Sequence, residues 1–201
     1  MSAPRTVARS RVVGAVLAIL LVTVAAVAER LSDPGSSEEY GSSDLVRAPL
    51  DATVGYQTGT LRVGGVRIGT QVVDGRDTFT TKGLFVVTTV TVQATGRDDV
   101  QVPSSRLLTT DGRTYLPAFS LGSRITAEPG FETTQDLVFE VDPTRMAGLT
   151  LELWEQGISY RYFDRAQTPL GITSGNQRQW AEAGRDRTVQ VVRRGTTQAL
   201  P

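Results

Sequence analysis

Short windows of this chain alternate strictly between apolar and polar residues, and a period of two belongs to strands rather than helices. In the window 84–92, Leu84, Val86, Val90 and Val92 point one way with Thr88, while Thr89, Thr91 and Gln93 point the other. Leu137, Phe139 and Val141 form a second inward set with Glu140 outward. Leu149, Leu151 and Leu153 form a third, with Thr150 and Glu152 outward. Each window has one face to bury, the requirement of two sheets packed face to face. Turn chemistry agrees. The stretch 61–68 is nearly palindromic about Gly64-Gly65, which predicts a two-residue hairpin loop, and Asp111-Gly112 predicts another between Leu107-Leu108 and Tyr115-Leu116. Pro129-Gly130 precedes the Leu137 strand and Asp142-Pro143 closes it. With 158–163 and 188–192 added, about eight to ten short strands are expected. No long amphipathic helix intervenes, so the chain reads as all-β, with one or two helical turns at 176–183 stopped by Gly184.

Ahead of this body lies Val12 to Ala28, VVGAVLAILLVTVAAVA, seventeen residues without a charge. As a helix it would be about 25 Å long, close to the hydrocarbon thickness of a bilayer. Arg5, Arg9 and Arg11 precede it, which predicts a cytoplasmic N-terminus and a body outside the cell. One reading is a retained signal-anchor, partnered by the membrane through residues 12–28. The other is a signal peptide cut at the small-x-small end Ala26-Val27-Ala28, releasing a secreted domain. The apolar run is longer than the roughly 7 to 15 residues usual in cleaved signals, which favours the anchor. Residues 29–50 are rich in Ser, Gly and acids and read as a disordered linker. The expected organisation is thus a basic N-terminus (1–11), the hydrophobic helix (12–28), the linker (29–50), a sandwich (51–163) and a C-terminal extension (164–201). The extension would either add a strand or dock a partner by strand addition.

Charge sharpens this division. The chain balances 21 Lys plus Arg against 21 Asp plus Glu. Three of the cations and none of the acids fall in residues 1–28, leaving 18 cations against 21 acids in the remainder. A mildly acidic body argues against nucleic acid as a partner. Lys82 is the single Lys, an arginine bias suggestive of a GC-rich genome such as an actinobacterium's. There is no His and no Cys, so imidazole bases, thiolate nucleophiles, disulfides and Cys/His zinc sites are excluded. Ser123 lacks the Gly-x-Ser-x-Gly elbow and reads as a loop serine. Asp98-Asp99 reads as turn chemistry rather than a cation loop, and Glu38-Glu39 as part of the linker. No catalytic residue, metal site or cofactor is expected.

The run KGLFVVTTVTVQATGRDDVQVPSSRLLTTDGRTYLPA, then EPGFETTQDLVFEVDP, then LTLELWE, resembles the DUF4352 family, telokin-like immunoglobulin-fold domains of bacterial exported proteins. The matching marks are the strand from Lys82 to Val92, the Asp111-Gly112-Arg113-Thr114-Tyr115 hairpin, and Pro129-Gly130 ahead of Leu137 to Val141. The family's Asn after the long strand is replaced by Ala94-Thr95-Gly96. The resemblance spans roughly residues 58 to 155 and implies an immunoglobulin-like antiparallel β-sandwich in an extracytoplasmic setting. It carries no catalytic residue across.

Trp154 falls on the outward face of its strand by parity, and the following strand holds Tyr160, Tyr162 and Phe163. Aromatics grouped in this way form a candidate contact surface for a protein or carbohydrate, unless another part of the chain covers them. The expectation is a non-catalytic, membrane-tethered binding module of the cell envelope with a protein partner. The alternatives are an accessory subunit assembling with a neighbouring membrane protein, and a secreted soluble protein.

Overall fold

The computed structural model describes residues 45–119, 124–155 and 164–201. In chain order its strands are β1 (Leu45–Arg47), β2 (Thr53–Tyr56), β3 (Gly59–Asp74), β4 (Asp77–Gln93), β5 (Val100–Val102), β6 (Ser104–Leu108), β7 (Thr114–Tyr115), β8 (Ile125–Ala127), β9 (Phe131–Val141), β10 (Thr150–Trp154), β11 (Arg165–Pro169), β12 (Thr188–Gln190) and β13 (Thr196–Ala199). One helix, α1 (Gln177–Gly184), precedes β12. A five-stranded sheet has the order β1-β11-β10-β6-β7, a six-stranded sheet the order β12-β3-β4-β9-β13 with β2 also on β3, and β5 pairs with β8. Pairing is antiparallel except for β1 with β11 and β12 with β3. The described residues form a β-sandwich, as the alternation predicts.

The inward sets come together in register. Leu84 lies opposite Val141, Val86 opposite Phe139 and Thr88 opposite Leu137. Leu107, Leu151, Leu153 and Ala166 of the other sheet join them in one apolar core. The Asp111-Gly112 hairpin forms where expected, with Leu107 opposite Tyr115 and Gly112 at φ +79°. So does the helix: the Asn176 side chain accepts from the Thr173 N–H at 2.7 Å and donates to the Gly171 carbonyl at 3.0 Å. A Cβ on Gly184 would lie 2.4 Å from the Ile68 side chain, so glycine ends the helix where it meets the core.

Four expectations are corrected. Gly64-Gly65 makes no hairpin, because β3 runs through it. Gly65, at φ +60°, sits instead in a β-bulge where the register shifts between Gly64 and Arg67. The extra residue flips the parity of β3: Leu61 and Val63 are inward before it and Ile68 after it. The hairpin comes later, at Gly75-Arg76, where Asp74 pairs with Asp77. Second, β4 is buried on both faces, since Phe85 and Val87 join Val72, Val138, Val189 and Val191 in a second apolar cluster. Third, Glu152 lies on the outward face but is 1 % exposed. Fourth, residues 45–47, read as linker, form β1.

The segment set apart as an extension supplies strands to both sheets: β11 to one, β12 and β13 to the other. Beyond β12, the backbone crosses the outer side of the six-stranded sheet. There Val191 N–H donates to the Val73 carbonyl at 2.9 Å, and the Asp136 N–H to the Val192 carbonyl at 2.9 Å. Among the described residues no helix is long and apolar enough to cross a membrane, and residues 12–28 lie outside them.

Candidate functional site

Sheet register builds the outer face of the five-stranded sheet in rows. Leu45, Arg165, Trp154 and Ser104 form one row, Arg47, Gln167, Glu152 and Arg106 the next, and Pro169, Thr150 and Leu108 a third. Polar residues in the middle row fall opposite one another, and cross-strand pairing of this kind favours opposite charges. The Arg106 Nε donates to the Glu152 carboxylate, the Gln167 Nε2 donates to it at 3.0 Å, and an Arg165 terminal nitrogen lies 3.6 Å away. Glu152 is therefore buried beneath its partners, while Arg106 and Arg165 stay about one quarter exposed. Trp154 stands on this face as parity predicts, with the Arg106 guanidinium 5.2 Å from its ring centre. Arg165 Nε is buried without a hydrogen-bond partner among the described residues.

Beside this array lies a cavity of about 440 Å³, lined by Arg47, Ala48, Pro49, Thr150, Gln167 and Pro169. Its floor is β11, and its walls are β1 with the following turn on one side and β10 on the other. Arg47 is exposed, and no ion pair or hydrogen bond engages its guanidinium among the described residues. Sequence reasoning assigned Arg47 to the linker and missed it. The signal was the apolar pair Leu45-Val46, too short to stand out against the acidic, Ser-rich residues before it.

Of the aromatic surface expected from the sequence, Trp154 is thus placed. Tyr160, Tyr162 and Phe163 lie outside the described residues, as do Ser123, Ala26 and Ala28. Asp98 and Asp99 are exposed in the turn before β5, and no group of three or more metal-ligating side chains forms among the described residues. The Lys82 side chain is exposed on the opposite sheet.

Other polar clusters hold the fold together. Asp136, 6 % exposed, accepts from Arg67, from the Thr89 hydroxyl at 2.7 Å and from the Val192 N–H at 2.8 Å. Arg193 pairs with Asp74 at 2.7 Å and stacks on Phe79 and Phe119 at 5.0 and 4.7 Å. The Tyr56 hydroxyl donates to the Asp164 carbonyl at 3.1 Å, and burial, with the Asp164 charge, raises its pKa far above the ordinary tyrosine value.

No family model matches the chain, and no curated protein matches it either. Among solved structures it is similar to an uncharacterised β-sandwich protein from Clostridium difficile 630, with 6 % identity and a TM-score of 0.44 over 64 % of this chain and 96 % of that one. It is also similar to the yjhA protein from Bacillus subtilis, with 15 % identity and a TM-score of 0.45 over 60 % of this chain and 99 % of that one. At these values no residue role passes from either protein to this chain.

Proposed function

We propose that this chain is a non-catalytic binding module of the cell envelope, an immunoglobulin-like sandwich of the telokin-like kind held at the membrane by residues 12–28. Its contact face is the outer side of the five-stranded sheet. The carrying observation is the coincidence on that face of Trp154, three arginines and an open cavity. Aromatic and arginine side chains together supply large contact area and directional hydrogen bonds, the combination found at energetic centres of interfaces. The absence of His and Cys supports a role without catalysis. The basic leader and uncharged run support the tether.

A photo-crosslinking residue placed at position 154 of the full chain, in its native membranes, tests this reading. We expect one reproducible adduct from position 154, none from position 62 on the outer side of the other sheet, and retention of the chain in the carbonate-washed membrane pellet. Equal adducts from both positions would overturn the contact face. A carbonate-soluble chain shortened by about 28 residues would overturn the tether.

A further inference from the structure

We propose that the cavity beside Arg47 binds a ligand carrying a single carboxylate on an apolar body. The proposal deepens the binding-module reading and rests on it for the choice of face. In the other charged clusters described above, Arg67 and Arg193 are each already paired with an aspartate.

The donor inventory of the cavity selects the ligand. Gln167 spends one amide N–H on Glu152 and keeps the other. The Thr150 hydroxyl donates to the Gly148 carbonyl at 3.2 Å, so it has only lone pairs left to offer. The Arg47 guanidinium, with its fork of N–H donors, is uncommitted among the described residues. Ala48, Pro49 and Pro169 complete the lining with apolar surface, and the two prolines bring no N–H donors. A ligand must therefore bring acceptors at one end and carbon at the other.

Charge then separates carboxylate from phosphate. Among the described residues of the paired rows on this face, the three guanidinium groups of Arg47, Arg106 and Arg165 oppose the one carboxylate of Glu152, but Arg106 and Arg165 already attend it. A single uncommitted cation lines the cavity, which balances a monoanion and leaves a phosphate dianion half neutralised. The planar fork of arginine also matches the two oxygens of a carboxylate. The volume lies within the roughly 300 to 1,000 Å³ common for small-molecule sites.

The experiment uses the full chain and three probes: benzoate, its uncharged analogue benzamide, and phenyl phosphate. Titration followed by ligand-observed NMR should give a dissociation constant for benzoate on the order of 0.1 to 1 mM, a level typical of a small fragment held by one charged contact. Benzamide should bind at least about tenfold more weakly, and phenyl phosphate no more tightly than benzoate. Arg47→Gln should weaken benzoate at least about tenfold while Arg62→Gln leaves it unchanged, both variants keeping the parent melting temperature. Benzoate affinity should hold from neutral pH down to about pH 5 and then weaken, by about tenfold for each further pH unit once below about pH 4, as the ligand protonates. Undetectable benzoate binding at about 5 mM, equal binding of benzamide, tighter binding of phenyl phosphate, or indifference to Arg47→Gln would each overturn the proposal. If benzoate fails while position 154 still crosslinks, the carboxylate site falls and the contact face survives. Failure of both removes the face itself.

Discussion

Glu152 shows what one residue decides on this sheet. Its side chain points away from the core, yet only 1 % of it meets water, because Arg106, Arg165 and Gln167 converge on it from both neighbouring strands. A carboxylate removed from water costs several kcal/mol unless its oxygens are bonded, and here both oxygens have partners. Glu152→Ala would leave two guanidinium groups without their shared anion. Complete burial would make that loss about 3 to 5 kcal/mol. Because both arginines can still reach water, about 2 kcal/mol is expected, measured by urea unfolding. A loss below about 0.5 kcal/mol would show that the array is a solvated surface pair. Sequence parity placed Glu152 on the correct face. It could not show the burial, since that depends on residues distant in the chain that are brought beside it by strand pairing.

At the scale of elements, the bulge in β3 and the segment after β12 form one device. The extra residue at Gly64-Gly65 re-aims Arg67, which reaches the Asp136 carboxylate on β9 and the Gln190 carbonyl at 2.7 Å. Asp136 in turn accepts from Val192 N–H, so three segments distant in sequence share one carboxylate. This clasp holds Val189 and Val191 over Phe85, Val87 and Val138. Asp136→Ala should therefore loosen residues 188–199 selectively. Hydrogen exchange is expected to accelerate there by at least about tenfold, a cost of about 1.4 kcal/mol or more, with β6 and β10 keeping their protection. A uniform acceleration across both sheets would show that the carboxylate supports the whole sandwich rather than this segment. A Gly-Gly pair flanked by alternating residues looks the same in sequence whether it turns the chain or bulges it. The choice falls to the partner strand: β4 pairs with β3 on both sides of Gly65, and a turn there would break that pairing.

For the whole molecule, two turns contribute to its behaviour in acid. Asp111 is held below the ordinary carboxylate range, chiefly by the Thr109 hydroxyl, and Asp142 likewise, chiefly by the Thr144 hydroxyl. Arg145 approaches both, at 3.3 Å from Asp111 and 3.8 Å from Asp142, and so ties the β6–β7 turn to the end of β9. A carboxylate with a lowered folded-state pKa stabilises the fold fully above its unfolded value, near pH 4, and loses that contribution as pH falls through the lower folded value. Melting temperature should accordingly be flat from neutral pH to about pH 5 and drop below about pH 4. The double variant Asp111→Asn/Asp142→Asn should show a shallower acid limb, and an unchanged limb would assign the acid loss to other groups. Both turns were legible in the sequence, because Asp-Gly and Asp-Pro act through bonds within a few residues. The inward sets of β4, β9 and β10, the short helix ending at Gly184 and the exclusion of imidazole and thiol chemistry were legible for the same reason: each depends on local periodicity or on residue inventory alone. The candidate site was half legible, through Trp154 by parity, whereas Arg47 and the cavity were not. Whether a polar face is open or covered, which glycine pair turns, and which cation is left unpaired were decided by the tertiary structure, because they depend on long-range pairing that local pattern does not encode.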